Sequence, residues 1–309
     1  MSQPATSSRE FEQLIERIAR ELLAAGAKPG SLSTGALCSC HGCCPTVCPD
    51  TLRCGFEAGA DRIGIEKKLP PGAAHLAAQI DHTLLKPDAT YAQVDELCEE
   101  AAQFGFATVC VNPLFVRRSA RRLSGTRSRV CTVVGFPLGA TFADVKAAEA
   151  RRAIGDGATE VDMVVAIGAL KSGDDAAVTR DIALVADACR EGGAILKVIL
   201  ECCLLTDDEK ARGARACVTG GADFVKTSTG FSTGGATAAD VALLRRVVGP
   251  AMGVKAAGGI RDLAAAQAMQ RAGADRIGAS ASVRIVREAA GEKPAAAPAA
   301  KGAAGGGYS

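Results

Sequence analysis

Three charged side chains interrupt apolar runs of the chain: Lys226 in ADFVKTSTGF, Lys255 in GVKAAGGI and Asp162 in TEVDMVV. Burying charge is costly, so such placements call for a purpose. A lysine between Val225 and Thr227 is desolvated in any packed fold. Desolvation favours the neutral amine, the form that attacks a carbonyl to make a Schiff base. Lys255 occupies a similar position one run later, where repulsion between two ammonium groups would further favour a neutral nucleophile. Asp162 can pair with a lysine and shuttle a proton. Lys197 in AILKVILE is a fourth such charge, an ion-pair partner or a substrate contact. A single strand lysine commonly snorkels to solvent or forms half of an ion pair, and Asp162 alone would read as a structural partner. Their convergence on one face is what would speak for chemistry.

The elements that must bring them together are legible. Between residues 77 and 289 short β-type runs (AQIDHTL, ATVCVNP, RVCTVVGF, EVDMVVA, AILKVILE, DFVKTS, MGVKAAG and DRIGAS) alternate with amphipathic stretches. In YAQVDELCEEAAQFG, TFADVKAAEARRAIGDG, DDAAVTRDIALVADACREG and DDEKARGARACVTGG, apolar residues recur at spacings of three and four, and several end in glycine. Many β-runs are continuously apolar, as when both sheet faces are covered. Eight βα units of this total length predict an α/β fold, a (β/α)8 TIM barrel. A doubly wound open sheet is the alternative, weakened because no GxGxxG follows the first run. In a barrel, the strand-embedded charges lie at or near the C-terminal strand ends, where catalytic groups gather. Gly258-Gly259 after the seventh run, Gly278-Ala279-Ser280 after the eighth and Thr227-Ser228-Thr229-Gly230 after the sixth then form a phosphate cradle beside a helix N-terminus. The implied ligand is a small phosphorylated carbonyl compound.

IDHTLLKPDAT, EVDMVV, FVKTSTGF, VKAAGGIR and RIGAS, in this order and spacing, resemble the deoxyribose-phosphate aldolases, a family of class I aldolases on a (β/α)8 barrel. The resemblance covers about residues 77 to 290. It implies that Lys226 is the Schiff-base lysine, that Lys255 tunes it and assists proton transfer, and that Asp162 is the acid/base aspartate. Gly230, Gly258, Gly259 and Ser280 match the phosphate contacts. Ala281 stands where many members carry a second serine, with Ser282 close by. Asp81 matches a carboxylate on the first strand near the site, and Tyr308 matches a tyrosine in a mobile tail that reaches the site in many members. The implied activity is that of a lyase of deoxyribonucleoside catabolism: reversible cleavage of 2-deoxy-D-ribose 5-phosphate to D-glyceraldehyde 3-phosphate and acetaldehyde. No metal or other cofactor is expected, since an iminium does the polarising that a Lewis acid would otherwise do.

The rest of the chain bounds this expectation. Residues 1–75 form an extension, 76–290 the barrel and 291–309 an Ala/Gly-rich tail expected to be disordered. A net charge of +2, with 36 basic and 34 acidic side chains interspersed, offers no field for nucleic acid or a membrane surface. No apolar run is long enough to span a bilayer, and the N-terminus lacks a secretory core. A cytoplasmic protein is expected, with a small phosphorylated sugar as its partner and a homodimer as the assembly considered. Its 13 cysteines are then thiols, ligands or nucleophiles rather than a disulfide framework. Cys98, Cys110, Cys131, Cys189, Cys202, Cys203 and Cys217 read as small core residues. Cys38, His41, Cys44 and Cys48 follow a ferredoxin-like spacing with histidine in second place, or a zinc set. Surface thiols without metal are the simpler expectation there. AGADRIG at 58–64 repeats at 272–278. Two other functions stay open on the residues alone: a phosphate-binding isomerase or synthase using Lys and Asp without a covalent step, and a metal or redox sensor built on the N-terminal cysteines.

Overall fold

The computed structural model describes residues 69–292. The N-terminal cysteine cluster, the early AGADRIG copy and Tyr308 lie outside the described residues. All eight apolar runs are strands: β1 (Ile80–Leu84), β2 (Thr108–Val111), β3 (Arg129–Val134), β4 (Glu160–Val164), β5 (Ile195–Ile199), β6 (Phe224–Lys226), β7 (Gly253–Ala257) and β8 (Arg276–Ala279). Each pairs in parallel with the next, and β8 pairs with β1, closing the barrel. This is the (β/α)8 TIM barrel expected from the alternation.

The helices are α1 (Pro71–Ala77), α2 (Tyr91–Phe104), α3 (Val116–Arg122), α4 (Ala143–Gly155), α5 (Ile167–Lys171), α6 (Asp175–Glu191), α7 (Asp207–Thr219), α8 (Ala238–Val248), α9 (Leu263–Arg271) and α10 (Ser282–Ala289). Their starts are chemically fixed. Thr90 with Gln93 and Thr206 with Glu209 form reciprocal capping boxes on α2 and α7, satisfying amide groups that the helix itself leaves unpaired. Thr237 and Asp262 cap α8 and α9. At the other end of α2, Gly105 closes the helix with φ 69°, a conformation that costs glycine little. The main core lies between strands and helices, with Val109, Val161, Leu196, Val198, Val225 and Val254 on the outward strand face packed under residues such as Val94, Ile182 and Leu244.

The stretch KKLPPGAAH at 67–75, linker-like by composition, runs into a helix. Residues 71–77 form α1, which buries Ala73, Leu76 and Ala77 and packs against α10. Pro70 and Pro71 hold the backbone in values that suit a helix start, so they initiate this helix rather than interrupt one.

Candidate active site

Strand alternation gathers the charges. On β6 and β7, Lys226 and Lys255 are direct neighbours in register; on β4 and β5, Asp162 and Lys197 are. Directly paired residues share a sheet face, here the barrel interior. Lys226 and Lys255 are 3% and 1% exposed and Asp162 is fully buried. The Asp162 carboxylate joins them: its Oδ2 accepts from Lys226 Nζ at 2.8 Å and Lys255 Nζ at 2.6 Å, and its Oδ1 from Lys197 Nζ at 2.8 Å. The two lysines therefore do not simply repel each other, as their spacing in the sequence suggested. A carboxylate bridges them.

A second tier of charge lies below. Asp81 Oδ1 accepts from Thr108 Oγ1 at 2.9 Å and from Arg276 at 2.6 Å. Its Oδ2 is 2.5 Å from Lys255 Nζ, a charge contact without hydrogen-bond alignment. Glu160 pairs with Arg276 at 3.0 Å and with Lys197 at 2.6 Å. Lys197 is thus the ion-pair partner that was one of its two expected roles. Three carboxylates face four cations in this interior. Gly278 leaves room for the network, since a Cβ there would lie 3.2 Å from Lys255 Cε.

The titration of these groups follows from the contacts. Burial alone would raise the Asp162 pKa, but Lys197, Lys226 and Lys255 together hold it well below the usual carboxylate range. For Asp81 burial is likewise overcome, by Lys255, Lys197 and Arg276. Burial opposes the charge on Lys255 and on Lys197, yet the adjacent carboxylates win and raise both. Elsewhere burial pushes the Cys189 and Cys202 thiols up to about 12. The signs give a stability profile. Depressed carboxylates stabilise the fold above about pH 4, their unfolded value, and that contribution is lost as pH falls through the folded one. Raised thiols stabilise it below about pH 8.5 and lose that contribution as pH rises toward 12, with the raised lysines following above about 10.4. Urea midpoints measured under reductant should form a plateau between about pH 5 and 8.5 and fall on both sides. A midpoint still climbing at pH 10 would contradict the assignment.

The expected phosphate contacts lie where the strands end. Gly230 and Gly259 are exposed, and Gly258 is partly so. A Cβ on Gly230 would come within 3.9 Å of Gly258 Cα, so the loops after β6 and β7 touch there. The approach is closest at Gly235, whose Cβ would lie 2.3 Å from the Gly258 carbonyl oxygen. Ser280 is exposed two residues beyond the paired Ala257 and Gly278. Ser282 does not replace the missing serine, because its buried hydroxyl donates to the Ala279 carbonyl at 2.8 Å.

Sequence reasoning passed over several groups. Glu160 shares the face of Asp162 by its spacing of two, a signal that was available. Cys131 looked like core, but its thiol lies 3.2 Å from Asp162 Oδ1 and 3.3 Å from Lys197 Nζ. Cys203, also read as core, is exposed; the other six scattered cysteines are buried. By donor spacing, Cys110, Cys131 and Asp162, or Asp81, Cys131 and Glu160, are close enough to hold a cation. Lys197 Nζ already contacts Cys131 and Asp162 of the first set, and Glu160 and, at 3.6 Å, Asp81 Oδ2 of the second.

The family model described as DeoC/LacD family aldolase matches residues 75–291. The chain belongs to this aldolase family. Among its relatives, the deoxyribose-phosphate aldolase of Geobacillus sp. (strain WCH70) is 59% identical over 212 residues, covering 69% of this chain and 95% of that protein. That of Listeria innocua is 59% identical over 220 residues, covering 71% and 97%. A family structure, the tetrameric deoxyribose phosphate aldolase of Aeropyrum pernix, superposes with a TM-score of 0.66 at 36% identity, covering 70% of this chain and 91% of that one. The family match begins within α1. Among the described residues, no helix is long and apolar enough to cross a membrane.

Proposed function

We propose that this chain cleaves 2-deoxy-D-ribose 5-phosphate reversibly to D-glyceraldehyde 3-phosphate and acetaldehyde, with Lys226 as the covalent nucleophile. The observation that carries this reading is the buried Lys226–Asp162–Lys255 bridge in the barrel interior, with glycine loops suited to phosphate following β6 and β7. Lys226 Nζ adds to C1 of the open-chain sugar, and loss of water leaves an iminium. Removal of the C3 hydroxyl proton lets the C2–C3 bonding electrons flow to the iminium nitrogen, releasing D-glyceraldehyde 3-phosphate and leaving an enamine. Protonation at C2 and hydrolysis return acetaldehyde and Lys226. Asp162 and Lys255 pass the protons in this reading, which the Lys226–Asp162 and Lys255–Asp162 hydrogen bonds support. Besides Lys226, the network holds three cations, Lys197, Lys255 and Arg276, for the three carboxylates Asp81, Glu160 and Asp162.

Borohydride reduction in the presence of acetaldehyde tests this directly. It should inactivate the protein and leave an ethyl group on Lys226, found by peptide mass mapping. Cleavage activity without any Lys226 adduct would instead favour non-covalent acid/base chemistry. For assembly, sedimentation separates the proposed homodimer from a tetramer like that described for the Aeropyrum pernix aldolase.

A further inference from the structure

Glu201, just past β5, is a buried carboxylate that the reaction above does not use (2% exposed). Among the described residues other than glycine, it alone has a positive φ, with φ 59° and ψ 62°. That region is disfavoured for a residue with a Cβ, so a glutamate there must be held by what its side chain does. Its carboxylate oxygens accept from the Thr229 amide at 3.3 and 3.4 Å and from the Thr229 hydroxyl. The Thr229 Oγ1 in turn accepts from the Phe231 amide at 3.0 Å. The Cys203 thiol, 3.9 Å away, is a weaker contact. Backbone bonds lash the same two segments together: the Leu200 amide donates to the Lys226 carbonyl at 3.0 Å and the Cys202 amide to that of Thr227 at 2.9 Å. Thr229 is therefore fixed on both sides, and the next residue is Gly230, the expected phosphate contact.

We propose that Glu201 is a positioning residue for phosphate recognition, fixing Thr229 so that the Gly230 backbone is presented to the phosphate of the substrate. A carboxylate facing a phosphate would repel it. Here the charge is spent on two donors of Thr229 and acts through the loop. The inference rests on the deoxyribose phosphate reading above, and kinetics on two sugars separates the two. In Glu201→Ala the KM for 2-deoxyribose 5-phosphate should rise about tenfold, the loss of one charge-assisted link. Its kcat should stay within about threefold, and kcat/KM for unphosphorylated 2-deoxyribose within about twofold. Glu201→Gln, which keeps one acceptor, should show a smaller rise. Thr229→Val cuts the link from the other end and should raise the same KM several-fold; it carries the test if Glu201→Ala does not fold. An unchanged KM in these variants, or an equal loss on both sugars, overturns the positioning role. A wild-type chain that cleaves neither sugar overturns the proposed function and this inference with it.

Discussion

Lys226→Met should abolish cleavage while leaving the fold at least as stable as the wild type. In the proposed mechanism Lys226 forms the iminium, so its loss removes the electron sink, and kcat should fall by about 10^4-fold or more, roughly 5.5 kcal/mol of barrier. Neither Lys197 nor Lys255 can substitute, since both are committed to carboxylates: Lys197 to Glu160 and Asp162, Lys255 to Asp162 and Asp81. Stability should behave differently. Removing Lys226 leaves three cations for three carboxylates, and Asp162 keeps Lys197 and Lys255 as partners. Methionine has similar length and no charge to desolvate, and replacing buried charge with apolar volume is often neutral or stabilising. The urea midpoint should therefore equal or exceed that of the wild type. Stopped-assay kinetics and urea unfolding on the same preparation check both halves. Substantial residual turnover would sink the covalent role, and a large loss of stability would sink the charge balance.

That separation of catalysis from stability was only partly legible in the sequence. The eight strands were, because a buried parallel strand must be apolar on both sides and each run is closed by glycine or polar residues. The buried positions of Lys226, Lys255 and Asp162 were suggested by their apolar flanks, although a strand lysine can also snorkel to solvent. What could not be read was which charges meet. Asp162 reaches Lys226 across 64 residues and Lys255 across 93, and no local pattern encodes a contact across a closed barrel. The second tier was hidden differently. Glu160 and Arg276 start their strands, where a charge is unremarkable until the closed barrel brings Arg276 onto both Asp81 and Glu160. Glu201 was hidden most completely, because a left-handed turn is normally announced by glycine and here a glutamate occupies it. Cys131 shows the converse: an apolar-looking residue whose neighbours are an ammonium and a carboxylate.

Asp162→Asn should be the most damaging single change to the folded state, and its pH dependence should identify the cause. The amide is nearly isosteric, so packing is kept while the charge that holds three lysines is lost. Asp81 and Glu160 would remain against Lys197, Lys226, Lys255 and Arg276. Removing one partner of a buried ionic cluster leaves uncompensated charge, at a cost of about 3–5 kcal/mol. Turnover should also drop, by roughly 10^2- to 10^4-fold, because in the proposed mechanism the carboxylate that bridges Lys226 and Lys255 passes a proton, which an amide does not. The sign of the linkage distinguishes charge from shape. In the wild type the folded-state pKa values of Lys197 and Lys255 are raised by Asp162 among others. Without that carboxylate the crowded ammonium groups are disfavoured in the fold. The folded variant then binds fewer protons than its unfolded chain as pH approaches about 10.4, and its stability deficit relative to wild type should shrink as pH rises. A packing defect would give a deficit independent of pH. Adding Lys197→Met to the variant removes one of the stranded charges and should recover part of the lost stability, a coupling that a double-mutant cycle measures. If the two changes were simply additive, the carboxylate would not be the keystone of the cluster, and the interior charges would have to be balanced by contacts other than those Asp162 makes.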